Sequence, residues 1–249
     1  MRQATHNASH QRMRNRSSSR LQGGEMPHPE DDYVLVHDTA MTNTKPGSKV
    51  YVDINTKPIC PNMSNEEFRK IVMRARDEAV RLINARIAAL VRWDASEQAR
   101  VTTYFGRANA QIRNTLSAGL PRLCSAMQEL APEKIVRWDS ETSRNLSCAI
   151  VPDSGQNRAA VCKPDSDKRV IAIYSSFCSD PFGELYHEAQ IKVLIHECTH
   201  FTDTFDSDDA MYGNSESGMK IFAMNNPDLA ISNADSITGY IATFDKTIE

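Results

Sequence analysis

The run Lys192-Val193-Leu194-Ile195-His196-Glu197-Cys198-Thr199-His200 constrains this chain more than any other stretch. Three apolar residues precede two histidines spaced four apart, a pattern that suits a helix rather than a strand. Four helical residues turn the chain by about 400°, so His196 and His200 lie one above the other on one face. Two imidazoles so placed suit a Zn²⁺ ion, and Glu197 beside them is a candidate general base. The competing reading is a surface helix with two hydrogen-bonded histidines. The residues that follow weigh against it, because they offer further donors.

A catalytic zinc needs a third protein ligand and an open position for water. Asp206 lies six residues after His200, where a metzincin carries its third ligand. That arrangement calls for Gly three residues after the second His, and Asp203 stands there instead. Glu216, sixteen residues on, could reach in from a second helix as in a gluzincin. Asp209, nine residues on, is followed by Ala210-Met211-Tyr212-Gly213.

The run Asp206-Ser207-Asp208-Asp209-Ala210-Met211-Tyr212-Gly213 resembles the Gly-Thr-x-Asp-x-x-Tyr-Gly signature of the aspzincins, which are the deuterolysins and the lysine-specific metalloendopeptidases. Asn233-Ala234-Asp235-Ser236-Ile237-Thr238-Gly239-Tyr240 is similar to that family's Asn-Ala-Asp-x-x-x-Tyr-Phe block, with an extra residue before Tyr240. The resemblance covers roughly Lys168 to Phe244. It implies His196, His200 and Asp209 as ligands of one catalytic zinc, Glu197 as base and Tyr212 as the group that steadies the tetrahedral intermediate. Asp206 and Ser207 stand where the family carries Gly-Thr. In the lysine-specific members, the Asp of the second block and a Glu three residues later bind a lysine ammonium. Asp235 matches the first, but Thr238 occupies the second position. That implies Asp235 as a substrate-binding residue with a weak preference for Lys or Arg on the leaving-group side. A competing role for Asp235 is capping the last helix or hydrogen bonding near the zinc ligands.

With 249 residues, the chain can bury one large core or two small ones. A net charge of −3 gives no reason to invoke nucleic acid or a membrane surface, and no apolar run reaches the length of a membrane span. The N-terminus has arginines but no apolar segment of the signal-peptide type. Six cysteines include no Cys-x-x-Cys pair, which argues against a zinc knuckle. Cys198 is expected to be a small buried hydrophobe. Aspzincins carry disulfides in the region of Cys148, Cys162 and Cys178, so the resemblance implies at least one bridge there and an oxidising compartment.

In chain order, residues 1–32 read as a disordered basic tail, rich in Arg and Ser and poor in acids. Residues 33–62 form an extended segment, with Tyr33–His37 and Lys49–Asp53 pairing around the turn at Lys45-Pro46-Gly47. Residues 63–132 form a helical subdomain. Its first helix opens at the capping box Ser64-Asn65-Glu66-Glu67 and runs through an apolar stripe from Phe68 to Val91. A second helix from Ser96 to about Leu116 is expected to break at Gly119-Leu120-Pro121. Residues 133–249 form the zinc subdomain, with three or four short strands at Ile135–Trp138, Ser147–Val151, Ala159–Cys162 and Arg169–Tyr174. Asp180-Pro181 reads as the start of the active-site helix, running to about Phe205. Two closing helices are expected at Ser215–Asn225 and Pro227–Phe244.

The expected fold is α+β and mostly helical, zincin-like, with a small twisted sheet beside the His196 helix. The expected function is zinc-dependent endopeptidase, with Glu197 drawing a proton from a zinc-activated water. Its substrate would be a protein or peptide, and a monomer is expected. The missing signal peptide and the basic tail suggest delivery by a non-classical route, as for a bacterial toxin or effector domain, with an inhibitor or immunity protein as a compatible partner. The alternatives are a non-catalytic binding module that keeps the fold and, for location, the cytoplasm.

Overall fold

Ser64 opens the longest helix of the computed structural model, α1 (Asn65–Arg92). Its hydroxyl accepts the Glu67 amide at 3.1 Å while Glu67 accepts the Ser64 amide at 2.8 Å, so the capping box forms as its sequence predicts. The described residues are 34–37, 50–52, 57–183, 188–213 and 215–242. The basic tail, the turn at 45–47 and His187 lie outside them. The chain divides into two compact units, Met1–Lys57 and Pro58–Glu249. In the first, β1 (Val34–His37) and β2 (Val50–Val52) pair antiparallel, with a shift of register between Leu35 and His37.

In the second unit, α1 buries Phe68, Val72, Ala75, Ala79, Leu82 and Ile83 against the core. Leu90, expected in that stripe, is buried, whereas Val91, expected to continue it, is 73% exposed and Ala89 is buried instead. Asp94 caps α2 (Ala95–Phe105), which ends at Gly106 with φ of 73°. A Cβ at Gly106 would lie 2.2 Å from the Ala223 carbonyl oxygen, so a close backbone approach and a left-handed turn both call for glycine. Asn109 then caps α3 (Ala110–Glu129). The expected break at Gly119-Leu120-Pro121 is therefore misplaced, because the chain turns at Gly106–Asn109. Gly119 instead makes a notch in α3 that seats the Phe205 ring, which a Cβ would approach to 2.3 Å. Pro121 stays inside the helix at the cost of one intrahelical hydrogen bond.

Three strands form the sheet: β3 (Ile135–Arg137), β4 (Ala159–Val161) and β5 (Ile171–Ile173), in the order β3-β5-β4. β5 is central and fully buried, parallel to β3 and antiparallel to β4. A short helix, α4 (Glu141–Arg144), follows β3, and the segment Ser147–Val151 after it is not a strand. The Ser147 amide and hydroxyl both bind Asp165, at 2.6 and 2.8 Å, and Cys148 is bridged to Cys162. A second disulfide, Cys60–Cys178, ties the entry of α1 to the segment after β5. Cys124 and Cys198 are free and buried.

The helix that carries His196 and Glu197 is α5, Gln190–Thr199, shorter than expected at both ends. Asp180 does not cap it. The carbonyls of Pro181 and Phe182 fold over its start and accept the Gln190 and Ile191 amides at 2.9 and 3.2 Å. At the other end the Thr199 and Thr204 hydroxyls bond the carbonyls of His196 and Cys198, both at 2.7 Å, and the chain turns at His200. The closing segment is α6 (Glu216–Asn225), α7 (Pro227–Ala230) and α8 (Ala234–Ala242). The expected last helix is split at Ile231–Asn233, where Asn233 forms a bridge with Asp208. Among the described residues, no helix is long and apolar enough to cross a membrane.

Candidate metal centre and its cleft

Three donor atoms converge where α5 ends. His196 Nε2 lies 3.2 Å from His200 Nε2 and 3.2 Å from Asp209 Oδ1, and His200 Nε2 lies 3.4 Å from the same oxygen. Ligands about 2.0–2.1 Å from a tetrahedral zinc stand roughly 3.3 Å from one another, so the donor set fits that ion. Among the described residues this is the one group of His, Cys, Asp and Glu side chains that could hold a metal.

Both imidazoles are oriented from behind. His196 Nδ1 meets Asp235 Oδ1 at 2.6 Å, and His200 Nδ1 meets the Ser207 carbonyl at 2.9 Å. Each ring therefore turns its Nε2 towards the other ligands, the arrangement by which metal-binding histidines are commonly held. Burial opposes the charge on Asp209, but hydrogen bonds with His196 and His200 outweigh it and hold the carboxyl well below the usual range. Burial opposes protonation of His196, yet Asp209 and Asp235 raise its affinity for a proton overall. A metal cation would take up the same attraction, in competition with protons.

Asp209 is carried by a loop tied on three sides. The Ser207 amide donates to the Thr199 carbonyl at 3.1 Å. Asp208 exchanges backbone hydrogen bonds with Ser232 and Ala234, at 2.8 and 3.0 Å. Lys163, just past β4, binds Asp206 and Asp208 at 3.1 and 2.8 Å. Asp206 occupies a left-handed turn with φ of 51°, the conformation that glycine would take without strain. Its carboxylate faces Lys163, not the histidines. Glu216 lines a recess beside His196 and also stays outside the donor cluster.

Glu197 is 6% exposed, and burial pushes its carboxyl up while the two histidines pull it down. Tyr212 is 72% exposed, with its ring stacked 6.3 Å from that of His196. Its hydroxyl donates to Asp209 Oδ2 at 2.9 Å. Burial of the hydroxyl end and that hydrogen bond hold the phenol proton more firmly than usual. Asp235 is placed behind His196, and its second oxygen accepts the Gly213 amide at 2.8 Å.

A cleft runs past these groups. It is lined by His196, Glu197, His200, Asp209 and Tyr212 on one side and by Ala159, Ala160 and Val161 of β4 on the other. Among the described residues β4 is an edge strand, so one side of its backbone is unpaired within the sheet, and its residues line the cleft. Sequence reasoning missed the Ser207 carbonyl, Lys163 and Glu188, which lines both cleft and recess. The Ser207 contact is made by backbone and carries no side-chain signal. Lys163 lies more than forty residues from its partners, so no local spacing marks the pair.

The family described as lysine-specific metallo-endopeptidase, the aspzincins, matches residues 91–242. A zinc peptidase from Grifola frondosa has a similar structure, with a TM-score of 0.54 at 18% identity, over 71% of this chain and 94% of that one. No curated protein sequence matches significantly.

Proposed function

Because the chain belongs to the aspzincin family of lysine-specific metallo-endopeptidases and is a zinc metalloendopeptidase, we propose that it cleaves extended peptides at the His196-His200-Asp209 centre with Glu197 as general base. The observation that supports this best is the convergence of three donor atoms at zinc-ligand spacing beside a buried, non-ligating carboxylate. In this reading the active-site helix and the small sheet form a zincin-like pair.

When bound, zinc supplies Lewis acidity that lowers the pKa of water towards 7 and polarises a carbonyl. The remaining work falls to the chain. His196, His200 and Asp209 hold the ion, with Asp235 and the Ser207 carbonyl fixing the two rings. β4 offers unpaired backbone groups to an extended substrate, as an added strand would use them. Glu197 takes a proton from the attacking water and delivers it to the leaving amine, a task suited to a carboxyl whose burial raises its proton affinity. Tyr212 turns its hydroxyl from Asp209 Oδ2 to the developing oxyanion. Its exposure and its place at the cleft leave room for that rotation.

Tyr212→Phe should lower kcat by about 10²–10³-fold, the usual cost of losing one oxyanion donor, with a smaller change in KM. A steady-state comparison in which only KM moves would make Tyr212 a substrate-packing residue.

The activity as a whole is tested by mass-spectrometric mapping of new peptide termini in a whole proteome, with and without a zinc chelator. Chelator-sensitive termini are expected, and their complete absence would sink the endopeptidase reading.

We also place the protein at work outside the reducing cytosol, as a secreted or delivered effector. Two disulfides support this, since such bridges persist in oxidising compartments. Thiol counting on active, denatured protein should find Cys124 and Cys198 alone. Six free thiols in fully active protein would contradict that placement.

A further inference from the structure

Lys163 stands at the junction of two parts of the site. It follows β4 directly after Cys162, whose disulfide to Cys148 pins the chain at the end of that strand. Its ammonium reaches across to the loop that bears Asp209. Nζ donates to Asp208 Oδ1 at 2.8 Å and to the Asp206 carbonyl at 3.2 Å, and it pairs with Asp206 Oδ1 at 3.1 Å. These contacts match the three protons of an ammonium.

The loop alternates in what its residues do. Asp206 and Asp208 are exposed and grip Lys163. Ser207 and Asp209 serve the metal centre: the Ser207 carbonyl orients His200 at 2.9 Å, and Asp209 Oδ1 meets both Nε2 atoms. The backbone ties of the loop run to Thr199, Phe201, Ser232 and Ala234, which fix it to the end of α5 and the start of α8. Lys163 adds a tie to the sheet. It also holds the carbonyl of Asp206, whose left-handed φ of 51° is unfavourable for a residue with a side chain. Exposed ion pairs add little to global stability. What this one can set is geometry, namely where the third ligand stands relative to the strand that lines the cleft.

We propose that Lys163 is a positioning residue for peptide hydrolysis: by gripping Asp206 and Asp208 it holds Asp209 and the Ser207 carbonyl in register with β4, so that a peptide lying along β4 meets a correctly formed metal centre. The inference rests on the peptidase reading above, but its effect on the metal needs no substrate. The sign of that effect is diagnostic. Removing a positive charge near a cation site strengthens cation binding through space. Losing the grip weakens it, because the third ligand and the carbonyl behind His200 are no longer held in place.

The test uses the full chain, with zinc affinity measured by chelator competition. Lys163→Met should weaken zinc by about tenfold, the lower end of the usual loss when a group supporting a ligand is removed. Lys168→Met removes the same charge from a pair with Asp165, outside the loop, and should not weaken zinc. Lys163→Arg should recover most of the loss, since a guanidinium also donates charge-assisted hydrogen bonds to carboxylates. At saturating zinc, kcat on a peptide should fall about tenfold in Lys163→Met, with KM within about threefold of wild type. In a background carrying Asp206→Asn and Asp208→Asn, Lys163→Met should no longer weaken zinc, because it has lost the partners through which it acts. Asparagine tolerates a left-handed backbone, so the first of these substitutions adds no strain. Unchanged or tighter zinc in Lys163→Met, an equal loss in the doubly substituted background, or a change in KM alone overturns the proposal. If wild type cleaves nothing, the peptidase reading fails and the zinc affinities by themselves decide whether Lys163 positions Asp209.

Discussion

Asp209→Ala should strip the protein of zinc, whereas Asp206→Ala and Glu216→Ala should keep it. All three acids follow the histidine pair, and spacing alone leaves them in competition. The geometry separates them. Asp209 Oδ1 stands 3.2 and 3.4 Å from the two Nε2 atoms, at the spacing of ligands on one tetrahedral ion. Asp206 turns away through a left-handed backbone and faces Lys163. Glu216 opens α6 and lines the recess. Losing a group that only orients a ligand costs about 10–100-fold in metal affinity, so losing the ligand itself should cost more than 100-fold. The measurement is zinc per chain by plasma mass spectrometry after dialysis, with circular dichroism to confirm the fold. Stoichiometric zinc in Asp209→Ala would end the assignment of this centre.

Much of the site is legible because its signals are local. The four-residue spacing of His196 and His200 works only on a helix, and the helix is there. Ser64 and Glu67 satisfy each other within one turn, so the start of α1 can be read directly. Misreadings fall where distant groups decide. Asp180-Pro181 is a sound N-terminal signal, yet Asp180 is held by Arg158 at 2.9 Å and closes a different turn. The amides at the start of α5 are met by carbonyls, which every residue has and no spacing reveals. Gly119 and Pro121 look like a break, but the ring of Phe205, far along the chain, converts the glycine into a packing notch. Asp203 fills a position where one zinc-peptidase pattern wants glycine. Its role appears only when Arg169 is seen to grip it, at 2.7 Å through Nη1, and fasten the chain after α5.

Glu197→Gln should abolish measurable cleavage while zinc content and fold stay those of wild type. Glutamine has the shape of the carboxylate and its hydrogen-bonding reach, so the buried position next to His196 should accept it. It cannot take up a proton at neutral pH. Glu197 is absent from the donor cluster, which comprises His196, His200 and Asp209, so zinc retention follows from geometry. Positioned general acid–base catalysis contributes about 10²–10⁴-fold, and here one carboxyl serves both the attack of water and the departure of the amine. The expected loss in kcat/KM is therefore at the upper end of that range, about 10⁴-fold. Three measurements separate the outcomes: peptide turnover, zinc per chain and thermal midpoint. Undiminished turnover rules out Glu197 as the base. Lost turnover accompanied by lost zinc or a lowered midpoint makes it a structural residue of the helix. Lost turnover alone is the signature of a proton carrier, because nothing else about the site has then changed.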